Sequence, residues 1–353
     1  MLNGKYFCSA VFYAVLVLTA GAQAQVLTEN AESPLDEILL KNGSRILGTI
    51  TSVRDGVVSI DTDFAGTLSI DSTTVDSMRT QGSLVLQMAD GSVIRDQPIV
   101  LEKESMLVTS SAGSQVRYGM SDLLLVNPEP WELGDGYKAF GLVSLAMGMQ
   151  RGNTDTDELD YKLEAYWRSL EDRYTLKMDG ELDKTNDIKS ADNWSILGKY
   201  DYFLEGADYW GVKAGFQQDE FIDLDLRTYA GPYYGRRFYE ESIFTLSGEL
   251  GLSYVIEDFI SLDHDQEYLG ASWDMRLSSD YLGGDSVLYI DHVGLWNLKD
   301  LDNIILDTTF GLSFPLLGDI EGAAEIVFNY DAGAVEDVDK LDETYRLRVG
   351  YSW

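Results

Sequence analysis

Two histidines, one cysteine and 60 carboxylates set the chemistry open to this 353-residue chain. A serine hydrolase needs a base beside its nucleophile, and a zinc site needs clustered nitrogen or sulfur donors. His264 stands in the acidic run SLDHDQE and His292 in the strand-like YIDHVGLW, and neither has a serine–acid pairing to complete a triad. Alternation with Leu288, Ile290 and Trp296 puts His292 on an apolar face, so it is the one candidate for a lipid-acting membrane enzyme. The only cysteine, Cys8, lies in an N-terminal apolar segment, which leaves the mature chain without disulfides or a cysteine metal site. The expectation is no catalytic residue and no bound cofactor.

The carboxylates crowd into DEFIDLD (219–225), EDFISLDHDQE (257–267) and DAGAVEDVDKLDE (331–343). Oxygen clusters ligate hard cations, so Asp219, Glu220, Asp223, Asp225, Asp263, Asp265, Glu267, Glu336, Asp337 and Asp339 are candidate Ca²⁺ or Mg²⁺ ligands. None of these runs has the glycine and spacing of an EF-hand loop. The competing expectation is a solvated acidic rim. With 26 Lys+Arg against 60 Asp+Glu, the formal charge of −34 excludes nucleic acid as a partner, because phosphate contacts need a basic surface.

The elements that must carry these residues are strands. From about residue 137 the chain alternates apolar and polar residues in segments long enough for a tilted strand to cross a bilayer. Leu159, Tyr161, Leu163, Ala165 and Trp167 oppose Asp160, Lys162, Glu164 and Arg168, for example. Twelve segments start near 137, 158, 172, 193, 209, 226, 243, 267, 286, 303, 320 and 343. An even count suits a closed barrel. Long connections at 150–158, 183–193, 217–226, 257–267, 297–303 and 331–343 alternate with short turns, as external loops and periplasmic turns do. The fold class expected is therefore all-β: a twelve-stranded antiparallel transmembrane β-barrel at 137–353. By parity Lys162, Arg168, Lys177, Lys199, Lys213, Arg236, Arg276, Arg346 and Arg348 point into its lumen. So do Asp160, Glu164, Asp179, Glu181, Asp201, Glu249, Asp274, Asp307 and Glu325.

Upstream, residues 1–24 read as an export signal, with the apolar core AVFYAVLVLTA and the small residues AQA before a mature start near Gln25. Residues 25–34 form a mature N-terminal segment. Residues 35–127 hold one motif twice at an offset of 48: NGS (42–44) matches DGS (90–92), Ile70 matches Tyr118, and Val75 matches Leu123. Turn dipeptides between β-branched runs make this a small periplasmic β-repeat domain. NPEPWELGDG (127–136) reads as the linker that runs on through 128–136.

The chain closes on TYRLRVGYSW, an alternating strand ending on an aromatic. Tyr351 and Trp353 resemble the terminal signal read by the barrel-assembly machinery. The opening FGLVSLAMGMQRGNTDTDELDYKLEAYWR (140–168) and the YRLRVGYSW ending together resemble an uncharacterised family of salt-induced outer-membrane barrels (YdiY-like). The resemblance implies a barrel in the outer membrane of a Gram-negative-type envelope, and no activity. Three functions follow in order: passage of small polar or ionic solutes; a non-conducting envelope barrel whose acidic loops bind divalent cations; and a lipid-acting enzyme. The expected partners are outer-membrane lipid, the assembly machinery and a periplasmic partner of the repeats.

Overall fold

The computed structural model describes residues 35–54, 56–102, 105–109, 115–150, 152, 155–241, 243–261, 265–333 and 339–353. The export signal and the 25–34 segment lie outside the described residues. The chain divides into two compact units between Pro128 and Glu129. Among the described residues no helix is long and apolar enough to cross a membrane.

The first unit is one curled sheet of eleven strands. Strands β1 (Asp36–Leu40), β2 (Arg45–Arg54), β3 (Val57–Thr62), β4 (Gly66–Asp71) and β5 (Val75–Arg79) make the first half. Strands β6 (Leu84–Met88), β7 (Val93–Gln97), β8 (Val100–Glu102), β9 (Ser105–Thr109), β10 (Gln115–Gly119) and β11 (Leu123–Val126) make the second. Shifting each element of the first half by 48 residues lands on its counterpart, including the 3₁₀ turns Ser72–Thr74 and Met120–Asp122. The counterpart of β2 is split into β7 and β8 around Pro98, which has no N–H to give a ladder. The halves exchange strands: β5 pairs with β8, and β11 pairs with β2.

Alternate residues of these strands turn one face inward, and Ile38, Ile50, Val58, Ile60, Leu86 and Met88 bury there almost completely. The turns at Asn42-Gly43 and Asp90-Gly91 use the same device: the side-chain oxygen accepts the N–H two residues on, at 2.9 Å in both. The hydroxyl of Ser92 also donates to Asp90, and that bond holds its carboxyl below the usual carboxylate range. One buried acid ties the sheet together. Asp36, 5% exposed, accepts the Ile50 N–H and the Gln81 N–H, both at 2.8 Å.

The second unit is a closed antiparallel barrel of twelve strands, each paired with its sequence neighbours. They are β12 (Lys138–Gln150), β13 (Thr156–Arg168), β14 (Asp172–Thr185), β15 (Ile188–Phe203), β16 (Asp208–Asp219) and β17 (Leu224–Glu241). They continue as β18 (Phe244–Phe259), β19 (Gln266–Ser279), β20 (Val287–Asn297), β21 (Ile304–Leu317), β22 (Ile320–Asp331) and β23 (Leu341–Ser352). The expected starts fall within a few residues of these.

The widest miss is at β15. The expected long connection 183–193 is mostly strand, turned by Asn186 and Asp187 alone, at φ 53° and 63°. Two consecutive left-handed residues make the tight hairpin turn that matches strand twist, and Asn and Asp tolerate that conformation. Polarity at 183–193 marked a strand end rising beyond the apolar band.

Closure joins β12 to β23. Leu142–Leu145 pair with Ser352–Val349, and Gly141 and Trp353 exchange two backbone bonds of 3.1 Å. The Trp353 ring crosses the face of Gly141, where any Cβ would overlap it. The terminal aromatic is thus part of the seam itself.

Asp36→Ala is expected to destabilise the repeat unit by about 2–4 kcal/mol, since the buried Ile50 N–H and the part-buried Gln81 N–H lose their acceptor. Limited proteolysis of the full-length protein in a urea series should show 35–127 cut at lower urea while the barrel stays intact.

Candidate functional site

The lumen concentrates the chemistry. On β13, β14 and β19 the apolar residues turn outward, which sends Lys162, Glu164, Lys177 and Arg276 inward. Burying charge in a low-dielectric interior is costly unless each charge is paired. The pairs are close: Arg227–Glu257 at 2.6 Å, Lys199–Glu249 at 2.6 Å, and Arg348–Glu325 at 2.7 Å. Tyrosine hydroxyls add a hydrogen bond to each of these carboxylates, with Tyr209 donating to Glu249, Tyr268 to Glu257 and Tyr289 to Glu325.

Several contacts span the barrel. Arg276 of β19 lies six strands from β13, directly opposite in the ring. Its Nη1 lies 3.3 Å from the Tyr166 hydroxyl and 3.8 Å from Glu164, while its Nε lies 3.3 Å from Asp291 on its own side. Lys162 reaches the same Glu164 at 3.3 Å. Arg227 of β17 reaches Asp331 of β22 at 3.6 Å. Arg346 of β23 bridges Asp160 of β13 at 2.8 Å and Glu181 of β14 at 2.7 Å. Two cavities of about 210 and 250 Å³ adjoin Arg276.

The expected lumen cations Lys162, Lys177, Lys199, Arg276 and Arg348 line these cavities, as does Arg168 near the short-turn end. Lys213 lines a smaller third space of about 80 Å³. Arg236 is a correction. It pairs with Asp208 at 3.6 Å beside outward-facing Tyr234, and its neighbour Arg237 lines the lumen instead. The parity failed in β17 because its inward face carries Tyr229 and Tyr233, which look like lipid-facing residues. They fit inside because glycines face them. Tyr233 lies over Gly211, where a Cβ would overlap the ring. The Gly211/Tyr233 and Gly235/Tyr209 pairings across β16 and β17 were the available signal, and they also turn Arg227 and Arg237 of β17 inward. Arg173 of β14, in step with Thr175 and Lys177, is a further inward cation that was passed over.

His292 does face outward. Its Nε2 accepts the Trp273 indole N–H at 3.0 Å, and its Nδ1 lies 2.8 Å from the Thr308 hydroxyl. Both ring nitrogens are thereby engaged on the outer wall.

The acidic candidates are dispersed in local roles. Asp219 accepts the Phe221 N–H at 2.9 Å, and Glu220 pairs with Lys189 at 2.5 Å. Asp223 accepts the Ser261 N–H at 3.0 Å and Glu267 accepts the Tyr254 hydroxyl. Asp225, Asp265 and Asp339 are exposed. Asp263, His264, Glu336 and Asp337 lie outside the described residues. Among the described residues no three His, Cys, Asp or Glu side chains gather as a metal site would require.

An apolar outer band, a charged lumen and complete ring pairing define a barrel protein of the outer-membrane class. The chain belongs to the family described as "Protein of unknown function, DUF481", whose model matches residues 143–353. No curated protein matches it. Among solved structures it is similar to the translocator domain of the autotransporter NalP from Neisseria meningitidis, at 12% identity and TM-score 0.37, over 62% of this chain and 88% of that one. It is also similar to the NanC porin, at 15% identity and TM-score 0.39, over 61% of this chain and 98% of that one.

Arg227→Met is expected to cost about 3–5 kcal/mol, because it leaves Glu257 buried without its cation. The double variant with Glu257→Leu should recover most of that loss. The urea midpoint at which the folded barrel loses its heat-modifiable gel mobility measures both.

Proposed function

We propose that this barrel passes small polar or ionic solutes across the outer membrane, with Arg276 at the narrowest part of the path. The observation that supports this is that both larger lumen cavities touch Arg276, and both are walled by charged side chains. Such walls replace part of an ion's hydration while the ion pairs set the bore. In this reading residues 35–127 stay in the periplasm, where they meet a partner. The outer band meets lipid, and the barrel-assembly machinery reads Tyr351 and Trp353. A role under salt stress follows from the YdiY-like resemblance. No hydrolytic role is given to His292, whose ring nitrogens are both engaged.

A second reading is favoured by the contacts that span the lumen, Arg276–Glu164 and Arg227–Asp331 above all. Struts of this kind suit a non-conducting barrel that braces the envelope, with divalent cations held on its acidic loops. Calorimetry with Ca²⁺ tests that last element and should show saturable binding.

Reconstitution in a planar bilayer decides between the two. Stepwise conductance is expected, and Arg276→Met should raise the unit step by about twofold by removing the strut. A silent wild-type barrel would overturn the channel reading in favour of the structural one.

A further inference from the structure

Near the short-turn end of the barrel three arginines converge on one ring. The guanidinium carbons of Arg168, Arg237 and Arg173 lie 5.3, 5.7 and 5.9 Å from the centroid of Phe203. They come from three different strands, β13, β17 and β14, so tertiary folding alone gathers them. Like charges at this spacing repel unless carboxylates balance them. Arg173 has Asp201 at 2.8 Å, and Arg237 has Glu240 at 3.0 Å. Arg168 forms no ion pair among the described residues.

Its Nε is buried without a hydrogen-bond partner, and so is the Nε of Arg237. The acids close by are already engaged. Asp201 holds Arg173 and takes the Tyr233 hydroxyl, while Glu249 takes Lys199 and the Tyr209 hydroxyl. All three arginines line the cavity of about 250 Å³, whose wall carries six cations against three carboxylates. In a chain of net charge −34 this is a local reversal of sign.

We propose that this cavity binds a small oxyanion, a carboxylate or phosphate group, held by Arg168 and Arg237. A guanidinium presents a planar fork of N–H donors that matches two oxygens of such a group, and an ionic acceptor makes those bonds strong. The bound anion supplies the negative charge that the protein withholds from Arg168, and it gives the two buried Nε–H groups an acceptor. Phe203 holds the guanidinium groups in place by stacking. The inference rests on the channel reading for its biological use and names the solute class of that channel. Binding itself needs only a lumen that water can enter.

The test is isothermal titration of the full-length protein in detergent at fixed ionic strength. Inorganic phosphate is the ligand in one arm and acetate in the other. Saturable binding is expected in at least one arm, and the arm that saturates identifies the oxyanion. Arg168→Gln should weaken binding about tenfold or more, the loss expected when a charged hydrogen-bond donor goes. Arg168→Lys should fall between, keeping the charge without the fork. Arg236→Gln, at the same end but on the outer wall, should bind as the wild type does. If Arg168→Gln does not fold, Arg237→Gln takes its place with the same expectation. Absence of saturable binding in both arms by folded wild-type protein overturns the site, as does a folded Arg168→Gln or its substitute that binds undiminished. A barrel that conducts but does not bind refutes this site alone. One that binds but stays silent refutes only the passage of solutes.

Discussion

In hydrocarbon no water satisfies a free N–H or C=O, so a membrane sheet survives only if its last strand reaches its first. Here that requirement rests on a short stretch of ladder. β12 and β13 pair along Lys138–Gln150, but β12 and β23 pair only over Leu142–Leu145, extended by the two bonds between Gly141 and Trp353. Beyond this ladder, side chains do the joining. Arg346 and Arg348 of β23 reach past β12 to Asp160 on β13. The apolar side chains of the last strand must face lipid, so its cations are forced inward. Closure and lumen electrostatics are therefore one problem solved by the same residues.

The interior follows the logic of buried charge. Each lumen carboxylate with low exposure, such as Glu164, Glu249, Glu257 and Glu325, meets a cation or a tyrosine hydroxyl. Most of these bonds join the same or neighbouring strands, while Arg276–Glu164, Arg227–Asp331 and Lys199–Glu249 reach across to more distant ones and cross-link the wall from within. Charge is spread unevenly along the lumen. The long connections carry most of the acidic runs, while the short-turn end gathers Arg168, Arg173 and Arg237. The cavity that these arginines line is the cation-rich part of an otherwise acidic protein, and a local field of this sign attracts anions.

The first unit uses a different economy. Two similar halves are each too small to bury a sheet face alone, and exchanging β5 and β11 between them completes one core. Asp36 then anchors the exchange by accepting one N–H from β2 and one from the connection between β5 and β6.

Dyad alternation, turn dipeptides and the terminal aromatic were enough to read a twelve-stranded barrel, its strand starts and most of its inward cations from the amino-acid order. These are local signals, and a strand's two faces differ wherever one meets lipid and the other meets water. The inward tyrosines and the outward turn of Arg236 escape a reading of one strand at a time, because an aromatic side chain suits lipid and lumen alike and the glycine that makes room for it sits on the neighbouring strand; the hairpin at 183–193 escapes it because a strand polar on both faces looks like a loop. Which charges pair was decided by the folded ring alone. Arg276 and Glu164, or the three arginines around Phe203, are distant in the chain. They meet only because closing the sheet fixes which strands face one another across the lumen.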